Sequence, residues 1–115
     1  MRDIGLHANH LSEIINIFKK APTITAAAVF GSRAKDIFLP YSDVDIAVYG
    51  DCDILDIEEV MCNLDDMPTA YTFDVVAYNS IRNPALRRHI DRVGVMIYTK
   101  TEGLTDDEED RGGGE

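Results

Sequence analysis

Three segments of the chain repeat apolar residues at helical spacing. Apolar residues three and four apart predict an amphipathic helix over residues 6–20. A second helix is predicted to begin after Asp53, a suitable N-cap, and to end before Pro68. A third helix is predicted to start at Asn83-Pro84 and to end at Gly94. The apolar face predicted for the second helix consists of Ile54, Ile57, Val60, Met61 and Leu64.

Short apolar runs between these helices predict a small β-sheet. The four predicted strands are residues 25–30, 43–49, 71–78 and 95–98. Residues 32–37 are predicted to form a short helix or turn after the first strand. The order of elements predicts an α/β fold, a small twisted mixed sheet of about four strands with helices packed on it. A chain of 115 residues that is 45% hydrophobic has enough apolar residues for one core of this kind.

Two aspartates lie in the second predicted strand, where acidic residues are unfavourable. Asp43 and Asp45 are two residues apart, so in a strand they share a face, while Val44 and Ile46 point to the other side. Aspartate is a poor strand former, and two carboxylates on one face repel each other. A divalent cation between them would offset that repulsion. Hard oxygen ligands suit Mg²⁺, which takes its remaining ligands from water and substrate phosphates.

A Gly-Ser-Arg segment follows the first predicted strand, about twelve residues before the aspartate pair. Gly31 lets the backbone approach a ligand closely, and free amides at the start of a short helix favour an anion. Ser32 adds a hydroxyl. Arg33 adds a fixed positive charge, although it is equally suited to a structural ion pair with a nearby carboxylate. The segment therefore predicts a phosphate site next to a metal site.

This combination resembles the minimal nucleotidyltransferases (MNT) of the DNA polymerase β superfamily, over roughly residues 7–100. The family pattern is G-S, often extended to G-S-R-A-[RK]-G, then [ST]-D-x-D, then a third carboxylate on a later strand. The matching residues here are Gly31-Ser32-Arg33-Ala34-Lys35, Ser42-Asp43-Val44-Asp45 and, in the third predicted strand, Asp74. Asp36 departs from the pattern, because it places a negative charge and a stiffer backbone where the family usually has glycine.

The resemblance implies a Mg²⁺-dependent nucleotidyl transfer, in which a hydroxyl attacks the α-phosphate of a nucleoside triphosphate and pyrophosphate leaves. Asp43, Asp45 and Asp74 would be the catalytic residues and would hold two Mg²⁺ ions, with Asp74 also serving the attacking hydroxyl as ligand or base. The Gly31–Arg33 segment would bind ATP or another nucleoside triphosphate. Because the strand around Asp74 is apolar, we expect it to be largely buried, where a charged carboxylate without a partner is costly.

The acceptor is inferred from the resemblance as well. The chain is similar to small family members that act as antitoxins of a helical HEPN-type protein, whose tyrosine hydroxyl would receive AMP. A homo- or hetero-oligomer is compatible with that role. Two alternatives stay open: a non-catalytic module that keeps the fold and binds a partner, which Asp36 favours, and nucleotidylation of an antibiotic.

Charge divides the chain into two parts. Of the net charge of −10, residues 101–115 carry −6 and residues 1–100 carry −4. We therefore expect a nucleotidyltransferase domain over 1–100 and an acidic, glycine-rich disordered tail over 101–115. The domain lacks the basic stripe of a nucleic-acid surface, so no direct nucleic-acid binding is expected. No apolar run approaches the roughly 20 residues of a membrane span and no signal peptide is visible, so the expected location is the cytoplasm, away from membranes.

Three smaller features have weaker interpretations. Cys52 and Cys62 are too few for a zinc site or disulfide framework and are expected to be free thiols, with Cys62 packed. His7 and His10 have a spacing that can bind metal, but without an acidic partner a surface position is expected. A basic patch on the last helix is either a solvated face or a docking surface for a partner or the triphosphate. The patch consists of Arg82, Arg87, Arg88 and Arg92.

Overall fold

A computed structural model describes residues 5–31, 43–69 and 71–100. The helices are α1 (Ala8–Lys19), α2 (Ile54–Asp65) and α3 (Pro84–Val93). The strands are β1 (Ile24–Phe30), β2 (Val44–Gly50), β3 (Phe73–Ala77) and β4 (Val95–Thr99). Each element that the sequence predicts within these ranges is present, with bounds shifted by one or two residues. The helix or turn predicted at 32–37 and the tail predicted at 101–115 lie outside the described residues.

The four strands form one mixed sheet in the order β3-β2-β1-β4. Strand β1 pairs antiparallel with β2 and with β4, whereas β2 and β3 pair in parallel. This arrangement confirms the predicted α/β fold with a small mixed sheet. Among the described strands, β3 has β2 as its single neighbour and is an edge strand, which exposes its side chains more than a central position would.

Helices α1 and α2 cover one face of the sheet and form the larger core. Ile14 and Phe18 of α1 and Leu64 of α2 are fully buried, and they pack with Ile46 of β2. The Phe18 ring stacks on the ring of Tyr98, with centroids 6.0 Å apart. Alternation along β2 assigns Val44, Ile46 and Val48 to this face, which leaves the odd-numbered residues for the other face.

Helix α3 covers part of the opposite face with a smaller cluster. Ile90 of α3 packs with Phe30 of β1 and Ala47 of β2, and all three are buried. Since side chains two residues apart in a strand share a face, Asp45 and Tyr49 lie on the same side of the sheet as Ala47. The α3 side of the sheet therefore carries the candidate chemistry.

Capping residues begin and end the helices where the sequence predicts. The Asp53 side chain accepts from the Asp56 backbone N–H at 2.9 Å, and the Asp56 carboxylate accepts from the Asp53 N–H at 3.0 Å. This reciprocal capping box satisfies two free amides of α2. Asn83 accepts from the backbone N–H of Ala85 at 2.9 Å, and the Gly94 N–H closes α3 on the Ile90 carbonyl.

Two burial predictions for α2 are wrong. Cys62 is exposed rather than packed, because the buried face of the helix is set by Ile57, Val60 and Leu64, and Cys62 points away from it. Ile54 is 68% exposed because it is the first residue of the helix and lies beyond the edge of the core. None of the helices in the three described ranges is long and apolar enough to span a bilayer.

Candidate functional site

The parallel pairing of β2 with β3 brings two of the predicted site residues together. Asp45 is the register partner of Asp74. Register partners on neighbouring strands present their side chains on the same face of the sheet, so the two carboxylates lie side by side on the α3 face. The juxtaposition joins residues that are far apart in sequence, and it results from the strand order rather than from a local motif.

The sequence predicts Asp43 as the first residue of the second strand, but in the structure it lies just before that strand. Strand β2 begins at Val44, and Asp43 is an exposed residue in front of it. Asp43 is nevertheless near enough to act on Asp45 electrostatically. The predicted pair on one strand face is therefore replaced by an arrangement in which Asp45 is central, with Asp74 beside it and Asp43 before it.

The environment of Asp45 disfavours its charged form. Burial raises the pKa of the Asp45 carboxyl above its ordinary value, and the negative charges of Asp74 and then Asp43 raise it further. His89 of α3 acts in the opposite direction and lowers that pKa. A half-buried carboxylate next to two like charges is a place where a bound cation would relieve repulsion.

Gly31 lies directly against the Asp45 carboxylate. The antiparallel register of β1 and β2 pairs Phe30 with Asp45, so the residue that follows Phe30 lies next to this side chain. Gly31 has φ +77°, a left-handed conformation that favours glycine, and a Cβ added there would collide with Asp45 Oδ2. Ser32 and Arg33, the other two predicted nucleotide-binding residues, lie outside the described residues.

The predicted burial of the strand around Asp74 holds for one face only. Phe73 and Val75 are buried against the larger core, but Asp74 is exposed on the other face. The inference that a charged Asp74 would be costly without a partner is therefore wrong, because β3 is an edge strand and its α3 face is open at this point.

His89 is a neighbour of the site that the sequence alone does not indicate. Its ring lies edge-on to the ring of Phe30, with centroids 6.1 Å apart and an interplanar angle of 81°. Phe30 is the register partner of Asp45, which explains why His89 influences the Asp45 carboxyl. Its place next to Ile90, which anchors α3 to the sheet, indicates that it lies near the sheet but does not indicate that Asp45 is its neighbour.

The carboxylates suit Mg²⁺ by donor chemistry. Within residues 5–31, 43–69 and 71–100, no three His, Cys, Asp or Glu side chains are grouped closely enough to hold a metal by themselves. Mg²⁺ does not require such a cage, since it commonly uses one or two carboxylates and takes its other ligands from water and substrate phosphates. Asp45 and Asp74, with Asp43 nearby, fit that requirement. Burial is the main cause of the raised pKa of Asp45, and the negative charges of Asp74 and Asp43, which a cation would offset, add to it.

The arginines of the predicted basic patch on α3 differ in their surroundings. The Arg87 guanidinium lies over the Tyr78 ring at 4.9 Å and donates to the Tyr78 carbonyl at 3.3 Å. Tyr78 in turn donates its hydroxyl to Asp91 at 2.7 Å. Arg87 therefore supports the 3₁₀ turn at Tyr78–Ser80, which the sequence did not predict, while Arg88 and Arg92 are exposed.

The histidine pair on α1 has local structural roles. His7 is the N-cap of α1 and accepts from the Asn9 N–H, as expected of a surface residue. The His10 ring is hydrogen-bonded to the Tyr71 hydroxyl at 3.2 Å. In the part of the chain that the structure describes, neither histidine belongs to a group that could hold a metal.

A groove of about 370 Å³ lies at the edge of the sheet, where α2 begins. Val75, Ala77 and Ile57 contribute apolar surface to it, together with Cys52, and none of the three aspartates lines it. Burial raises the pKa of the Cys52 thiol, so this thiol is less reactive than a free one. Leu55, next to the groove-lining Ile54, is 68% exposed.

Comparisons with known proteins agree with this architecture. The chain matches the family described as polymerase beta, nucleotidyltransferase, over residues 12–103. A chain of a toxin–antitoxin complex solved with AMP-PNP is 22% identical, with a TM-score of 0.66, over 78% of this chain and 73% of that one. A chain of the MntA–HepT toxin–antitoxin complex is 20% identical, with a TM-score of 0.62, over 82% of this chain and 74% of that one.

A third solved structure is the complex of an MNT antitoxin with the tri-AMPylated HEPN toxin of Shewanella oneidensis. The matched chain is 20% identical, with a TM-score of 0.61, over 80% of this chain and 71% of that one. None of the curated proteins matches the chain by sequence. The family match covers most of the chain and agrees with the sheet, so this protein belongs to the polymerase β nucleotidyltransferase family.

Proposed function

We propose that this protein transfers a nucleoside monophosphate, AMP from ATP, to a hydroxyl acceptor, with Asp43, Asp45 and Asp74 as the catalytic carboxylates. The observation that supports this most strongly is the register pairing of Asp45 with Asp74, with the Gly31 backbone against Asp45. Two neighbouring carboxylates beside an open backbone approach could hold Mg²⁺ next to a bound phosphate. The Gly31–Arg33 segment would bind the nucleotide.

The proposed reaction forms one bond and breaks one. The acceptor hydroxyl oxygen bonds to the α-phosphorus, the bond from that phosphorus to the bridging oxygen of the β-phosphate breaks, and pyrophosphate leaves with the electron pair. Asp74 is exposed and accessible, so it is suited to take the hydroxyl proton. Asp45, with Asp43 and Asp74, would hold Mg²⁺ ions, which supply charge neutralisation at the phosphates when bound.

The contribution of Gly31 to the proposed site is the absence of a side chain. Without a side chain, its backbone can come near both the Asp45 carboxylate and a phosphate oxygen. Together, fixed carboxylates and a close backbone favour an in-line arrangement of acceptor and leaving group, and positioning of this kind accounts for a large part of such catalysis.

The proposed acceptor is a tyrosine hydroxyl of a HEPN-type helical protein, in an antitoxin role. Support comes from the fold neighbours, which are found in toxin–antitoxin complexes, one solved with AMP-PNP and one with a tri-AMPylated HEPN toxin. The chain would then form a hetero-oligomer with its partner, act in the cytoplasm, and need no contact with nucleic acid.

A second candidate function is a non-catalytic module that binds and masks the same HEPN-type partner. The observation that favours it is the apolar pair Ile54 and Leu55, each 68% exposed at the start of α2. Exposed apolar side chains beside an apolar groove are typical of a partner-binding surface, and Asp43, Asp45 and Asp74 do not line this groove, so it could bind a partner without using the carboxylates.

The position of a radioactive label in ATP separates these candidates. The purified chain is incubated with a HEPN-type protein encoded next to it, Mg²⁺ and ATP labelled on either the α- or the γ-phosphate. Nucleotidyl transfer puts label on the partner from α-labelled ATP and none from γ-labelled ATP. A partner that is bound tightly and never labelled supports the masking module, and label from the γ-phosphate alone would indicate a kinase.

A further inference from the structure

We propose that His89 is a nucleotide-binding residue that donates a hydrogen bond to a phosphate oxygen of the triphosphate; this inference rests on the proposed function. His89 belongs to α3, which no motif in the sequence connects with the Gly-Ser or Asp-x-Asp segments. Three features of His89 support this role: the position of its ring, ring nitrogens that have no partner among the described residues, and the charge of its surroundings.

The position of the His89 ring is fixed by packing. Ile90, the next residue, is 2% exposed and anchors α3 in the cluster with Phe30 and Ala47. The His89 ring rests edge-on against Phe30, a contact that favours this position of the ring. A half-buried ring held from one side by a buried aromatic is a preorganised binding group rather than a free surface side chain.

Among the described residues, the ring nitrogens of His89 have no hydrogen-bond partner, and its ring contact is with Phe30. His89 acts on Asp45 electrostatically, yet no hydrogen bond or ion pair joins these two side chains. The ring is thus near the carboxylate without being engaged by it. Within the described residues, the ring nitrogens are therefore available on the face of the sheet that carries the Asp45 carboxylate.

The charge of the region supports a phosphate as the ligand. The carboxylates of Asp43, Asp45 and Asp74 repel a triphosphate, and cations bound to these carboxylates would offset that repulsion on their side of the ligand. His89 supplies a donor from a different element, α3, on the side of Phe30 and Gly31. Even the neutral imidazole carries one N–H donor, so the proposal does not depend on protonation of the ring.

The imidazole resonances give a direct test. The chain has three histidines, so a long-range ¹H–¹⁵N spectrum of labelled protein contains three ring systems. We expect addition of ATP with Mg²⁺ to shift the His89 signals, whereas adenosine leaves them unchanged. His7 and His10, which lie at the start of α1, serve as internal controls and should not shift.

Substitutions separate a binding role from a packing role. His89→Phe keeps the aromatic contact with Phe30 and removes the donor, whereas His89→Gln keeps a donor and loses the ring. We expect His89→Phe to weaken binding of ATP with Mg²⁺ by about tenfold, the usual effect of losing one hydrogen bond to a charged group, with His89→Gln closer to wild type. His10→Phe, a matched change on α1, should bind as wild type.

Three results would overturn the proposal. ATP that binds to wild type, by calorimetry, without shifting the His89 ring would exclude contact. Weaker binding in His89→Gln than in His89→Phe would assign the residue to packing, because Phe keeps the contact with Phe30 and Gln loses it. Binding unchanged in His89→Phe would also reject it while leaving the proposed function intact, whereas wild type that binds no ATP would reject the proposed function itself.

Discussion

The Gly31 backbone and the Asp45 carboxylate are so close that a Cβ on residue 31 would collide with Asp45 Oδ2. The contact couples the turn after β1 to the central carboxylate of the site. It also explains why glycine is needed at residue 31 for two independent reasons, the left-handed φ of +77° and the absence of room for a side chain.

Gly31→Ala should therefore damage both stability and nucleotide binding. The left-handed backbone costs a residue with a side chain about 1–2 kcal/mol, and the collision displaces Asp45. Gly5→Ala is the matched control, because Gly5 has a similar φ of 76° and precedes α1. We expect both variants to lose stability in urea denaturation, but only Gly31→Ala to lose ATP binding in calorimetry. Full ATP affinity in Gly31→Ala would place the phosphate site elsewhere.

The charge of Asp45 opposes folding when no metal is bound. The pKa of Asp45 is raised in the folded state. Between 3.8 and this raised pKa, the folded chain therefore holds a proton that the unfolded chain has released. The free energy of unfolding falls as the pH rises through that interval. Asp45→Asn removes that penalty. We expect the variant to be more stable than wild type at neutral pH in the presence of a chelator, with the gain disappearing at a pH below 3.8.

The measurement for this prediction is urea denaturation at neutral and acid pH, with Asp65→Asn on α2 as the control for loss of one negative charge. A gain for Asp45→Asn that is the same at both pH values would contradict the electrostatic explanation. A loss of stability at neutral pH would show that the carboxylate has stabilising contacts.

Divalent cations should stabilise the wild-type chain by binding the folded state. We expect Mg²⁺ or Mn²⁺ to raise the thermal midpoint, and the double variant Asp43→Asn, Asp45→Asn to lose that response. The control is the double variant Asp65→Asn, Asp66→Asn at the end of α2, which removes the same amount of negative charge. Its thermal midpoint should rise with the cations as that of wild type does. Equal shifts in wild type and the Asp43, Asp45 variant would rule out a metal site at these residues.

The capping box of α2 should affect stability without affecting the site. Asp53→Ala removes a side chain that accepts from the Asp56 N–H, and loss of such a cap costs about 1 kcal/mol. We expect a lower urea midpoint and unchanged ATP affinity. Weaker ATP binding in this variant, under conditions where it is folded, would connect the start of α2 to the nucleotide site.

The fold was largely predictable because its signals are local. The amphipathic pattern of α1, the N-cap Asp53 and the Asn83-Pro84 start of α3 each determine a helix within a few residues. The fold class follows from the alternation of these helices with short apolar strands. What the local pattern could not give was strand order, and the exposure of Asp74 on an edge strand depends on it.

The site was predictable in part for the same reason. Gly31 and the two aspartates near the start of β2 belong to a motif with fixed spacing. His89 could not be recognised, since its nearness to Asp45 depends on how α3 packs against Phe30. Cys62 was misplaced because adjacent apolar residues obscure which side of α2 faces the core.

The central claim is that the paired carboxylates of β2 and β3 perform nucleotidyl transfer. The most direct measurement is the rate at which α-labelled ATP labels the purified HEPN-type partner, for wild type, Asp45→Asn and Asp74→Asn, with Asp65→Asn as the charge control. We expect wild type and Asp65→Asn to label the partner. The two site variants should bind it normally and label it slower by about 10²–10³-fold, because each amide keeps the shape and loses the charge. Labelling that persists in Asp74→Asn, or a wild-type complex that forms and never labels its partner, would contradict the account.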